Sequence, residues 1–462
     1  MAGNLANDTD LVQEIKTLLW GPSVKCDVFK QWSQGFFFSN DEPTALVQAE
    51  GGPCAVIAPV QAFILKELLL ESDINSWKEI GTEQCNFLLV KAMTEIIARA
   101  ADSQQPRYCI VQAMGTQGHG STSMNCENIS NKVPDPKSSE ENKQNDENNQ
   151  ETTNSMENRL ELEPDIFHSQ LRIFTIDNMD ELKKYFSDQI EMLKNQFGIL
   201  LFLYTVVCTK GLAGMQSEMS DPMEPLIDST YGYGSQSLIN LMLTGRAVSH
   251  VWDHDQDVGG LKLQGIDKQN SVGFLAFLEH LRYCEVGTFL KAPSHPIWVL
   301  GSDTHLTVLF SPERRLVSPE TPADQARRVF KKFDPEGNNF ISSNLLQDVL
   351  AELDLVADTE YVEIMRKKLD SESLGIILLA AFMDEFFPED PRTCPDTFLL
   401  FHYNGLPRSN LENKVTYRRG QAVLLECTVK CILDSNPMLT VLQTKWPSIE
   451  VQWDKGQTPS VN

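Results

Sequence analysis

The sequence predicts an α+β fold: one large mixed domain of helices and short strands, interrupted by an acidic insertion and by a helical block. Three observations carry that expectation. Stretches with helical apolar spacing alternate with β-rich runs along the 462 residues. Between 116 and 164 the composition turns abruptly to Ser, Asn, Glu and Gln. Strand patterns then return beyond the helices of 323–390, so that block interrupts the domain and does not end it.

In chain order, a short amphipathic helix is expected at 10–20 and a buried one at 54–70, which Pro59 should kink. A further helix at 84–101 and a short strand at 108–112 precede the insertion. Within 127–165 eleven acids stand against four bases, a net of −7. Such a segment buries too little apolar surface to offset its ordering entropy, so 116–164 is expected to be disordered. Order resumes with "LRIFTI" at 171–176, a strand, and a helix at 179–196. The apolar run 197–208 reads as buried core. Loops rich in Gly, Tyr and Ser follow, then a helix at 272–283. "HPIWVLGSDTHLTVLF" reads as two short strands near Gly301, and "DTFLLFHYNGL" and "SIEVQWD" as late strands. The expected partition is therefore core at 1–115, insertion at 116–164, core at 165–322, helical block at 323–390 and core strands within 391–462.

A net charge of −25 argues against nucleic-acid or anionic-membrane binding, which needs clustered Lys and Arg. No uninterrupted apolar run reaches the ~20 residues a membrane-spanning helix requires, and "MAGNLANDTDLVQEI" carries no secretory start signal. Ten cysteines at irregular spacing give neither a CxxC pair nor His at metal spacing. Cys427 and Cys431 are four apart without a second ligand pair. The expectation is a reducing compartment, no cofactor and no metal.

"LVQAEGGPCAVIAPVQAFIL" sets a cysteine, Cys54, behind Gly51, Gly52 and Pro53 at the mouth of an apolar helix. A thiol attacks as thiolate, and the amide dipoles of a helix N-terminus favour that anion. The glycines admit a sharp turn and close approach of a substrate, and leave backbone N–H groups for a developing oxyanion. Gln48, six residues upstream, can supply a side-chain amide to the same oxyanion. This is the arrangement of papain-like thiol hydrolases. The bland alternative is a buried structural thiol, since free cysteines are among the most buried residues.

A thiolate enzyme also needs an imidazole. Of eight histidines, His305 lies in "SDTHLTVLF", where polar residues give way to a β-rich run. A strand emerging into a cleft there can hold the ring beside a helix N-terminus. His250, His254 and His402 remain open alternatives. The block 323–390 contains "VFKKFDPEGNNFISSNLLQDVLAEL", which resembles an EF-hand with Asp334, Glu336 and Asn338 at the first, third and fifth loop positions. Asn339 replaces the turn glycine and Leu345 the closing glutamate, and a second loop at Asp370 also lacks ligands. The expectation is a paired-helix scaffold that binds no calcium.

The blocks "VQAEGGPCAVIAPVQAF", "PLIDSTYGYGSQSLINLMLTGRAVSHVWD" and "PIWVLGSDTHLTVLF" resemble the signatures of the MINDY deubiquitinases, cysteine proteases that prefer K48-linked polyubiquitin. The helical pair is similar to that of the family's EF-hand-bearing branch. The resemblance implies a papain-like core with Cys54 as nucleophile, His305 as general base and Gln48 as oxyanion donor. Asp303 and Asn404 are both open as the group that orients the imidazole. Gly51, Gly52, Tyr231, Tyr233 and Trp252 would meet the ubiquitin tail. The implied partners are polyubiquitin and ubiquitinated proteins, engaged by a monomer in the nucleus or cytoplasm. The competing reading is a ubiquitin-binding scaffold with weak catalysis and an EF-hand-like interaction module; a small-amide hydrolase is a third.

Overall fold

The computed structural model describes residues 5–71, 74–101, 104–114, 163–318, 321–335, 337–388, 394–425 and 436–462. Nearly all of the expected acidic insertion, and Cys427 and Cys431, lie outside these residues.

A six-stranded sheet organises the molecule. Its spatial order is Ile449–Trp453, Arg418–Leu424, Thr397–Tyr403, Leu306–Phe310, Ile297–Gly301 and Gly273–Ala276. All neighbours are antiparallel except the last pair, which is parallel. Alternating side chains feed two cores, as a pleated strand requires. Ile297, Val299, Val308 and Phe310 face the main core, whereas Trp298, Leu300 and Leu309 face a second one. The helix Pro437–Gln443 covers that second face through Met438, Val441 and Leu442.

The main core is built on helices. Cys54–Glu71 is apolar on nearly every side as far as Leu65 and is buried from Cys54 to Leu68, as such a helix must be; Lys66 and Glu67 near its end are held in ion pairs with each other and with Glu95 and Lys91. It continues through Pro59 and packs between the sheet and the helices Thr82–Ala100 and Gln236–Thr244. Gly198–Lys210, the apolar run, is a second fully enclosed helix. No single described helix is long and apolar enough to cross a membrane. A third apolar cluster belongs to 322–387 alone. There four helices surround a two-stranded ladder, Phe340–Ser342 with Ile376–Leu378. Asp334 accepts from the N–H groups of Asn338 and Asn339, and Asp370 from those of Leu374 and Gly375.

Two expectations need correction, and one strand was not anticipated. The segment 272–283 is not one helix: Gly273–Ala276 is a buried strand, followed by the single turn Phe277–His280. Its apolar run fits either structure in isolation, and pairing with Ile297–Gly301 decides. The helix expected at 179–196 breaks at Gln189 into Met179–Asp188 and Ile190–Lys194. Arg418–Leu424 is a central strand that its charged start concealed.

Candidate active site

The Cys54 side chain begins the buried helix directly behind a constrained turn. Gly52 has φ +115, and a Cβ there would come within 3.1 Å of the Trp32 indole nitrogen, so this position requires glycine. Gln34 holds the preceding backbone: its Oε1 accepts from the Ala49 N–H at 2.9 Å, and its amide donates to the Glu50 carbonyl. Pro53 offers its carbonyl to the N–H groups of Val56 and Ile57 and so starts the helix.

His305 closes the hairpin between Ile297–Gly301 and Leu306–Phe310. Ser302 fixes it, its hydroxyl accepting the His305 N–H at 3.1 Å and donating to the His305 carbonyl. Tyr403 pairs opposite Val308, so the end of Thr397–Tyr403 lies beside the start of Leu306–Phe310. That register delivers Asn404 to His305, with Oδ1 3.0 Å from Nε2. Gln48 arrives by the same strand end: its N–H donates to the Gly405 carbonyl at 2.8 Å, and the Tyr403 hydroxyl donates to the Leu46 carbonyl. Its side-chain amide donates to the Glu50 carbonyl at 2.8 Å.

The cysteine and histidine segments meet. Burial pushes the Cys54 thiol up to about 11, while the backbone amides of Leu306, Ala55 and Cys54 itself pull the other way by favouring the thiolate. Leu306 directly follows His305, and the helix that Cys54 opens packs on the strand Leu306–Phe310. Burial holds His305 down at about 4; Asn404 opposes that effect and the Arg408 cation reinforces it. At neutral pH both groups are therefore uncharged. The thiol donates to the Gly52 carbonyl at 3.7 Å, and no hydrogen bond joins it to the His305 ring.

A cleft of about 380 Å³ opens over this junction. Glu50, Gly51, Gly52, Tyr231, Tyr233, His305 and Arg408 are among the residues that line it. The Tyr231 and Tyr233 rings stack at 5.7 Å. Their loop rests on the cysteine helix so closely that a Cβ at Gly234 would lie 2.4 Å from the Ala55 Cβ. Trp252 is not among the lining residues; its ring stacks on His250 at 3.9 Å. Asp303 is exposed, whereas Asn404 is buried and bonded to the imidazole. His402 is buried next to His305, held down at about 3 by burial, with no hydrogen-bond partner for either ring nitrogen. Arg408 and Gln34 carried no sequence signal, because their positions depend on contacts distant along the chain.

The comparisons with known proteins agree with this architecture. Residues 16–331 match the family model described as deubiquitinating enzyme MINDY-3/4, conserved domain. The ubiquitin carboxyl-terminal hydrolase MINDY-3 homolog of Drosophila melanogaster is 50% identical, covering 99% of this chain and 84% of the relative. Ubiquitin carboxyl-terminal hydrolase MINDY-3 of Homo sapiens is 45% identical over 98% of this chain and 100% of the relative. The probable ubiquitin carboxyl-terminal hydrolase MINDY-4 of Mus musculus is 29% identical over 71% of this chain. No solved structure matches. A cysteine at a helix mouth and a histidine at a strand start, brought together under a cleft, thus sit in a chain that belongs to the MINDY-3/4 family of deubiquitinating enzymes.

Proposed function

We propose that this deubiquitinase cleaves isopeptide bonds in polyubiquitin, K48-linked chains among them, with Cys54 as nucleophile and His305 as base. The observation that carries the reading is the cleft that the Gly51–Gly52 turn before Cys54 and His305 line together, with the imidazole anchored by Asn404. Asn404 Oδ1 accepts from Nε2–H, which leaves His305 Nδ1 as the proton acceptor. Ubiquitin's tail enters the cleft with its two terminal glycines between the Gly51–Gly52 turn and the Tyr231–Tyr233 loop. The acidic body favours the tail's arginines.

Cys54 gives its proton to His305 as the sulfur bonds to the carbonyl carbon of the last glycine. The oxyanion takes hydrogen bonds from the amides at the helix mouth and from the second N–H of the Gln48 side chain. His305 then protonates the leaving lysine amine, and water releases the acyl group from the sulfur with His305 again as base. The resting thiol and imidazole are both neutral, so this proton transfer waits for substrate to displace water and realign them. The core is papain-like in this reading. The block 322–387 is an EF-hand-like scaffold whose first-position carboxylates, Asp334 and Asp370, cap their own loops' amides.

The neutral resting pair also favours a second reading, a chain that binds ubiquitin and catalyses weakly. A ubiquitin C-terminal electrophile separates the two. An adduct on Cys54, absent in Cys54→Ala together with chain cleavage, supports the enzyme; tight binding without adduct supports the scaffold. Cleavage by Cys54→Ala overturns the assignment.

A further inference from the structure

We propose that the segment Ser460–Asn462 is a positioning element of the active site, acting through the side chain of Asn404. The proposal deepens the reading of Cys54 and His305 given above and rests on it. An asparagine amide has one accepting end and one donating end, and a half-turn exchanges them. If Asn404 were reversed, it would turn its NH2 group on His305 Nε2 and could not accept from it.

The surroundings of Asn404 forbid that reversal. It is 1% exposed. Its Nδ2 donates to the main-chain oxygens of Ser460 at 3.1 Å and of Asn462 at 3.4 Å. Its Oδ1 accepts the Leu406 N–H at 3.0 Å and faces His305 Nε2 at 3.0 Å. Main-chain oxygens only accept and backbone N–H groups only donate, so three partners of fixed polarity select one orientation. The two oxygens that hold the donor end both belong to this segment. They thereby set which nitrogen of His305 keeps its proton and which serves as base.

The segment is itself tied down. Val461 is buried in the second core. The Ser460 hydroxyl donates to the Asn462 main-chain oxygen at 2.7 Å and accepts the Asn462 N–H at 3.1 Å, a local turn that aims that oxygen. Upstream, the Arg418 guanidinium donates to the carbonyls of Asp454 and Gln457. Asn462 also lines the cleft, close to where substrate enters.

Ser460→Ala removes the turn while keeping the Val461 anchor, and Ser460 is exposed, so the variant should fold. Both kcat and KM on polyubiquitin are measured for the full chain, for Ser460→Ala, Ser460→Thr and Asn404→Ala, and for the Ser460→Ala/Asn404→Ala double variant. Melting curves accompany each. Ser460→Ala should lose about 5-fold in kcat with KM unchanged, the scale of one neutral hydrogen bond. Ser460→Thr, which keeps the hydroxyl, should recover it. On the Asn404→Ala background the Ser460 change should cost nothing further. An equal loss on both backgrounds, a loss confined to KM, or unchanged kcat in Ser460→Ala overturns the proposal. Absence of a Cys54 adduct in the unaltered chain is a different failure, because it removes the functional reading itself.

Discussion

Cys54 and His305 are displaced in opposite directions by the same cause. Burial disfavours a charged group of either sign, so it raises the thiol and lowers the imidazole. An ion pair between them would need both effects reversed, and the free protein does not supply that. Iodoacetamide should therefore alkylate Cys54 more slowly at pH 7 than a free thiol, with the rate climbing toward about pH 11. Mass spectrometry of the labelled peptide reads this, and fast labelling at pH 7 would contradict it. Gln48 acts at the same scale. Its amide touches the Glu50 carbonyl and lies next to the nucleophile's turn, so Gln48→Ala should lower kcat on the order of 100-fold while leaving the Cys54 adduct able to form. Gln48 was legible from its spacing to Cys54. Asn404 was one of two open choices, because only strand register shows which polar residue reaches the ring.

A helix mouth, a hairpin end, the Tyr231–Gly234 loop, the segment 406–409 and Asn462 converge to make the cleft. The loop fits only because Gly234 has no side chain facing Ala55. Gly234→Ala should push the loop outward, costing about 1–3 kcal/mol by overpacking and reducing kcat/KM on polyubiquitin. Thermal melting and steady-state kinetics check both effects together; normal kinetics would show that the loop does not shape the site. The same scale explains the misread segment 272–283. A run of Gly, Phe, Leu and Ala satisfies a buried helix or a buried strand equally well, and the partner strand is distant in sequence. The boundaries of Cys54–Glu71, by contrast, were marked locally by "GGP" before it and by the loss of apolar spacing after it.

Among the described residues three histidines are buried, His168 and His305 at about 4 and His402 at about 3, all lowered chiefly by burial. An unfolded chain protonates each near pH 6.5. Between that pH and 4 the unfolded state binds protons that the folded state refuses, so stability is complete above about 6.5 and falls as pH drops through this window. For each ring, lowering the pH by one within the window removes at most about 1.4 kcal/mol. Melting curves from pH 8 to pH 4.5 should show a steady decline, and His402→Leu should flatten it. A melting temperature independent of pH across that range would refute the argument.

Sequence alone marked Cys54, Gln48 and His305 as candidates and determined the α+β character of the fold. These are local signals: a glycine turn before a helix and a change of apolar period. Tertiary structure decided what those residues can do. It selected Asn404 over the exposed Asp303, placed Trp252 on His250 and outside the cleft lining, and turned 273–276 into a strand. It also wrapped Ser460–Asn462 against the amide beside His305. Each outcome depends on hydrogen-bond polarity or burial between segments tens to hundreds of residues apart, and no pattern within one segment encodes such a meeting.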